Sequence, residues 1–521
     1  MSRPKPELPP YLVLLRVGFA LPAALLPRRC ALTAPFHPYP AVVLRPSSYC
    51  RAHNDDGAVY FLWHFPSTGL EPGLPDVIRH TALRSSDFPP SLRRATVRSG
   101  CQPLHYMRWF SDQPSHAGTS ILPRATHVIR ILGAIVEGIA GIAAAAGTTF
   151  YLACLWSARA YSMKRVANPS SDPDQPDAER LPPVSILKPL KGEDPEIYQS
   201  FRSHCAQDYP QYEIIFGVSD GHDPAVRAVE RLRQEFPQCG IQLVVCSQVL
   251  GANTKVSNLA QMVRVARYDH MIVSDSDIRV EPGYLQKVIA PLTDAEVGMV
   301  TCLYRGIASP TLGSRLESLG ISTDFAAGVL VARSLEGGVR FGLGSTMAFR
   351  RRDLEAIGGF ESFVDYLADD YELGKRIAAL GLEVQLSEVV VETFLPAYNL
   401  RQFFEHQLRW ARGVRDSRRG GYLGLLLTFG WPWAFLAVLV SGGAGWAWGL
   451  AVVTIFFRVL MAWTVGMSIL RDRQVPRFLP LIPIRDVVAL LVWVASFASN
   501  TVAWRGDRFH LQDGKLVRIH P

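Results

Sequence analysis

Asp275 and Asp277 stand two residues apart, directly after the apolar run 270–274. A short buried strand ending in Asp-x-Asp puts two carboxylates at the carboxyl edge of a sheet, where open α/β folds bind ligands. Mg²⁺ or Mn²⁺ takes hard oxygen donors and is typically held by one or two carboxylates, water and substrate phosphates filling the other positions. The pair therefore suits a divalent cation that carries a diphosphate, although Asp is also a common turn residue and the motif is weak by itself. Asp220, after the run 213–218, is a second strand-end carboxylate, able to accept hydrogen bonds from a nucleoside's base or ribose. In 251–258 a flexible loop enters a helix with Lys255 near its N-terminus, a position suited to phosphate oxygens.

Asp369 and Asp370 open a further helix over 366–377. Capping and the helix dipole favour acids there in any case. Two adjacent carboxylates also repel each other, which raises one pKa toward that of a general base, and electrostatics alone does not choose between them. Arg409 and Trp410 lie on a basic stretch, 401–415, in which Phe403, Phe404, Leu408 and Ala411 or Val414 repeat at helical spacing. Such a helix rests in a membrane interface, where an Arg–Trp pair can be an anchor and nothing more.

The elements that must position these groups form an alternation. Runs 184–187, 213–218, 241–245 and 270–273 are short and β-rich, with helical stretches 195–205, 225–236 and 255–266 between them. This predicts an α/β domain over 180–398 with a mostly parallel sheet and crossover helices. The first strand is not followed by G-x-G-x-x-G, which argues against a dinucleotide-binding Rossmann domain.

A hydrophobic content of 48% in 521 residues points to a membrane protein. Residues 131–156 are apolar apart from Glu137. They exceed the roughly 20 residues that cross a bilayer, predicting one transmembrane helix over 128–158. Arg159, Lys164 and Arg165 place its C-terminal end in the cytoplasm. After the interfacial helix at 399–420 come three apolar segments within 421–503: 423–440, 446–470 and 478–502. The last is interrupted by Pro480, Pro483, Arg485 and Asp486. Three crossings would leave the basic tail 504–521 outside, so two to three C-terminal membrane helices are expected, with part of the Pro-broken third re-entrant or interfacial. The cytoplasmic tail alternates about Asp513-Gly514 and reads as a hairpin.

The net charge of +8 reads as membrane-surface charge, and no nucleic-acid-binding motif accompanies it. Eight cysteines without a C-x-x-C pair indicate neither a zinc site nor a disulfide framework. Residues 1–120 follow no sustained period and are expected to be a disordered or artefactual extension, with Met107 an alternative start. A chain beginning at Met107 is expected to insert and work normally.

The order Asp220, Asp275-x-Asp277, Asp369-Asp370, His406-x-x-Arg409-Trp410 resembles the D, D, D, (Q/R)xxRW series of family-two-like glycosyltransferases. Its flanks, 187–192, 251–259, 273–280 and 368–371, resemble the ceramide glucosyltransferase family, especially the bacterial branch that glycosylates hopanoids. The resemblance covers residues 130–521. It implies a GT-A fold and inverting transfer of a hexosyl residue, glucose or N-acetylglucosamine, from a UDP-sugar to a hydroxyl of a hopanoid or ceramide-like membrane lipid. In that scheme Asp220 contacts the uridine, while Asp275 and Asp277 hold the ribose, the diphosphate and a Mg²⁺ or Mn²⁺ cofactor. Asp370 is the base, and Lys255 helps to neutralise the departing UDP. Arg409 and Trp410 hold the leaving diphosphate and the acceptor. His406 departs from the family's Gln or Arg, which puts the role of that position in question. The resemblance also implies an integral protein of a bacterial inner membrane, with its catalytic domain in the cytoplasm. A processive polysaccharide synthase of the cellulose or hyaluronan type is the alternative enzyme, and an inactive membrane scaffold the alternative outside enzymes.

Overall fold

A computed structural model describes residues 121–167, 181–504 and 507–519. The expected extension, 1–120, lies outside the described residues. Four short runs rich in Val and Ile form the first half of the central sheet: β1 (Val184–Pro189), β2 (Tyr212–Val218), β3 (Gly240–Val245) and β4 (His270–Val273). They pair in parallel in the order β3-β2-β1-β4, joined by helices Ile197–Cys205, Ala225–Glu235 and Thr254–Met262. β1 and β4 are buried on both faces, as parallel strands are, although β1 carries Ser185 and Lys188.

The second half is mixed. It comprises β5 (Ile278–Arg279), β6 (Val297–Ile307), β7 (Met347–Arg350) and β8 (Glu383–Phe394), and the whole sheet runs β3-β2-β1-β4-β7-β6-β8-β5. β6 is parallel to β8, whereas β7 is antiparallel to both neighbours and β5 is antiparallel to β8, so the sheet is mixed where a mostly parallel one was expected. The reason is a long excursion. After β6 the chain forms helices Leu312–Gly320 and Ala326–Leu335, the second packed on the first membrane helix, and then returns to enter β7 in the opposite sense.

Helices Arg130–Met163, Gly445–Ile469 and Val475–Ser496 are long and apolar enough to cross a bilayer, as is the pair Arg419–Thr428 and Gly430–Val440, bent by 51°. The first lies inside a longer helix, Ile121–Ala167, than the expected 128–158. The bend falls in the first of the three C-terminal segments and not in the proline-bearing third. Pro480 and Pro483 sit in first-turn positions, where a missing N–H costs nothing. What the third segment does instead is bond to the α/β domain at its start and to helix Leu400–Ser417 and the bent pair at its end. At its start Gln474 donates to Gly306 O (2.9 Å) and accepts from Ala308 N (3.0 Å). At its end Ser496 shares a hydrogen bond with Tyr422 Oη (2.9 Å), and Arg415 donates to Asn500 Oδ1 (2.5 Å).

Small residues set the helix contacts. A Cβ on Gly147 would lie 2.3 Å from Gly430 Cα, and Ala140, Ala144, Ala434 and Ala437 continue the same buried seam. Association within a bilayer depends on this close approach, because lipid is as apolar as the side chains. Arg458 is buried and bonds Asp486 (2.8 Å) and Asp324 (2.5 Å), joining two membrane segments to the helical excursion. Charges buried in this way persist only when paired.

The tail is a three-stranded antiparallel sheet: β9 (Thr501–Trp504), β10 (Asp507–Gln512) and β11 (Lys515–Arg518). The expected hairpin turns at Asp513 and Gly514, both at positive φ (50° and 81°), which suits the twist of a tight two-residue turn. Helix Leu400–Ser417 starts with a capping box from Asn399 and Gln402 and buries Phe403, Gln407 and Gly413. It packs chiefly along the third segment and the tail sheet.

Candidate active site

Four charged groups from three elements meet around one glycine. Lys255, on the helix capped by Asn253, places Nζ 2.8 Å from Asp275 Oδ1 and 2.9 Å from Asp369 Oδ2. Gly344, in the loop before β7, donates its N–H to Asp370 Oδ2 at 3.0 Å. A Cβ at Gly344 would stand 3.0 Å from Asp275 Oδ2, 3.6 Å from Asp370 Oδ2 and 3.7 Å from Lys255 Nζ. Burial alone would push the Lys255 ammonium down, but Asp275 and Asp369 outweigh it and hold its pKa above the usual lysine value. Gly344→Val is therefore expected to crowd the cluster and block turnover while the sheet still folds. Turnover by that variant with unaltered donor affinity would show that the space around Gly344 is not used.

Asp370 opens the helix Asp369–Ala379 and also accepts from Tyr371 N (2.8 Å). Burial, then the neighbouring Asp369, pushes its carboxyl up to about 6. A carboxylate in that range is a competent base at neutral pH. Asp369 differs because its charge is already matched by Lys255.

Asp277 accepts a 2.5 Å hydrogen bond from Thr393 Oγ1 on β8. Burial, then the charge of Asp275, pushes its carboxyl up to about 6. Among the described residues no three His, Cys, Asp or Glu side chains are gathered to hold a metal. Two carboxylates are nevertheless the usual protein share for Mg²⁺ or Mn²⁺ beside a diphosphate. A cation between Asp275 and Asp277 would relieve the repulsion that raises Asp277, so the donor set fits.

Not every expected residue joins the cluster. Asp220 is exposed and accepts from His222 N (3.0 Å), an interaction that holds its carboxyl below the usual range. It leaves the same sheet edge as Asp275, two strands away, roughly 10 Å at ordinary strand spacing. His406 approaches the buried Glu317 (Nδ1–Oε1, 3.1 Å), stacks on Tyr398 (5.4 Å) and meets Trp410 at a tilt of 51° (4.8 Å). Arg409 lies over the Trp504 ring at 6.0 Å. His406, Arg409 and Trp410 thus form a second group, on helix Leu400–Ser417.

Lys188, Glu317, Gly344 and Thr393 were not singled out by the sequence. Lys188 is fully buried, donating to Asp275 O (2.8 Å) and Ser274 Oγ (3.1 Å) beneath the Asp-x-Asp turn. Burial pushes its ammonium down to about 7. A lysine inside an otherwise apolar strand was the available signal. Glu317 gave none, since a Glu on a short amphipathic helix looks solvated.

The profile of glycosyl transferase family 21 matches residues 139–517. The chain is similar to ceramide glucosyltransferase 1 of Caenorhabditis elegans, 25% identical over 352 residues covering 65% of this chain and 73% of that one. Similarity to the ceramide glucosyltransferase of Candida albicans is 30% over 141 residues, 25% of this chain and 26% of that one. Among solved structures it is similar to a mannosyltransferase from Pyrobaculum calidifontis in complex with GDP-Man and Mn²⁺ (20% identity, TM-score 0.42, covering 69% of this chain and 99% of that one). The expected GT-A-type domain and the resemblance to ceramide glucosyltransferases are both met.

Proposed function

This chain belongs to glycosyl transferase family 21, and we propose from that premise that it moves one hexosyl residue from a UDP-sugar to a hydroxyl of a hopanoid or ceramide-like lipid, with inversion. The supporting observation is the convergence of Lys255, Asp275, Asp369 and Asp370 on Gly344 in a domain tied to membrane-length helices. Asp220 faces the uridine, and Asp275 and Asp277 hold a Mg²⁺ or Mn²⁺ ion. When bound, that ion supplies positive charge to the diphosphate. Lys255 places its ammonium against the phosphate oxygens. Asp370 takes the proton of the acceptor hydroxyl, whose oxygen bonds to the anomeric carbon as the bond to UDP breaks on the opposite face. UDP leaves with that electron pair. Arg409 and His406 hold the leaving diphosphate, and Trp410 packs on the acceptor head. The test is purified protein in lipid nanodiscs with ceramide or a hopanoid polyol and either UDP-glucose or UDP-N-acetylglucosamine, read by mass spectrometry. One added hexose is expected. A ladder of added sugars would indicate a polysaccharide synthase, and failure to release UDP with any acceptor would sink the reading.

The two held ends of the third segment support a topology. We place the catalytic domain and the tail sheet together in the cytoplasm, with helix Ile121–Ala167, the bent pair and helix Gly445–Trp463 crossing the bilayer. Helix Val475–Ser496 lies at the cytoplasmic interface. Single cysteines at Arg473 and His510 should then react with an impermeant thiol reagent from the cytoplasmic side, and one at Gly445 from the opposite side. Labelling of Arg473→Cys and His510→Cys from opposite sides would mean that the third segment crosses.

A further inference from the structure

The tail sheet grips the strap 364–367, the stretch of chain that delivers Asp369 and Asp370 to the site. Leu516 N donates to Asp365 O (2.6 Å), Leu367 N donates to Gly514 O (3.0 Å), and Tyr366 bridges to Lys515 in antiparallel register. The strap is thereby added to β11 as a further extended segment. Its other edge holds the loop that carries Lys255. Asn253 N donates to Val364 O (2.7 Å), Asn253 Nδ2 to Tyr366 O (2.7 Å), and Ala252 N to the Asp365 carboxylate (2.9 Å). Asn253 also caps the helix on which Lys255 is the second residue. Apolar contacts follow the same line, with Val502, Phe509, Leu511 and Leu516 buried against Ala252 and Leu367.

The sheet is held in turn by helix Leu400–Ser417. Arg412 donates to Thr501 O (2.5 Å), Arg409 lies over Trp504, and the Asp416 carboxylate accepts from Gly514 N. Among the described residues, no hydrogen bond or ion pair ties the tail to Asp220 or to Asp275 and Asp277, whose strand ends are set by the central sheet.

We infer that the C-terminal sheet is a positioning element of the active site, fixing the strap so that the general base and Lys255 keep their places relative to the Arg409–Trp410 helix. The inference rests on the proposed transfer reaction. Without the tail, Asp365 O and Leu367 N lose their partners and the strap is held from one side only. Backbone that must stay within a fraction of an ångström for in-line attack then samples several positions, and a displacement of about 1 Å can cost 10²-fold in rate. The nucleoside, held from the other strand ends, should sense the change less than the diphosphate beside Lys255.

Two variants test this, one ending at Trp504 and one Leu516→Pro. The Leu516 N–H points at the strap and not at β10, so proline there removes the strap bond while the hairpin's own ladder remains. Both should insert, and kcat should fall by about 10²-fold with a smaller loss of UDP affinity, because Lys255 also faces the diphosphate. Amide hydrogen exchange should quicken over 364–371 and stay slow over 270–273. Val517→Thr, on the exposed side of β11, should behave as the parent. Unchanged kcat in Leu516→Pro, or a fall in kcat without faster exchange in the strap, overturns the inference. If the parent protein itself transfers no sugar, the functional reading fails, and the exchange data alone decide whether the tail holds the strap.

Discussion

Asp370→Asn is expected to abolish transfer, lowering kcat by about 10² to 10⁴-fold while UDP-sugar affinity stays close to that of the parent. Asparagine keeps the size of the side chain and one of the two oxygens that accept from Gly344 N and Tyr371 N, but it cannot take a proton, and the relief of the buried charge offsets the one bond lost. The parent should show a matching pH dependence. Burial, then Asp369, pushes the Asp370 carboxyl up to about 6, so the reactive carboxylate is lost, and kcat falls, as pH drops through that value. Stability should move in the opposite sense. The folded chain holds this proton to a higher pH than the unfolded chain does, so folding stability declines as pH rises from the ordinary carboxyl range to about 6. Removing the charge should therefore leave Asp370→Asn with a melting temperature at pH 7.5 no lower than the parent's. An inactive variant that also melts early would be a misfolded one. Asp369→Asn should be milder in kcat, because Asp369 is engaged with Lys255. If the two phenotypes exchange, Asp369 is the base. If Asp370→Asn chiefly weakens donor binding, the acid is a nucleotide or metal contact.

Asp277→Ala is expected to cost about 10³-fold in kcat/KM, the rate equivalent of the several kcal/mol that a divalent cation lends to a departing diphosphate. Titration calorimetry separates this from general damage. Mn²⁺-dependent UDP binding should disappear in the variant, and EDTA should inhibit the parent. Thr393→Val removes the 2.5 Å hydrogen bond that orients the carboxylate and leaves the acid in place, so its effect should be the same in kind and smaller. Activity that survives Asp277→Ala, with EDTA also harmless, would rule out the metal assignment.

The sequence by itself determined what is local. Apolar runs of strand length ending in Asp220 and Asp275, the acidic start of the helix at Asp369, the amphipathic helix before Arg409-Trp410 and the Asp513-Gly514 hairpin each express a period or a turn preference that neighbouring residues set together. Tertiary structure alone decided the pairings between segments far apart in the chain. Lys255 finds one counter-ion in Asp275 and the other in Asp369, and Gly344 comes to the centre because β7 returns antiparallel. Prolines that seemed to break the third membrane segment fell where a helix tolerates them. The tail hairpin could be read from its turn, but not its partner: hydrogen bonds from Leu516 to Asp365 and from Leu367 to Gly514 depend on which backbone edge is left exposed once the helices have packed. Periodicity records which side of a segment is apolar, whereas the partner of that side is chosen by the packing of the whole chain.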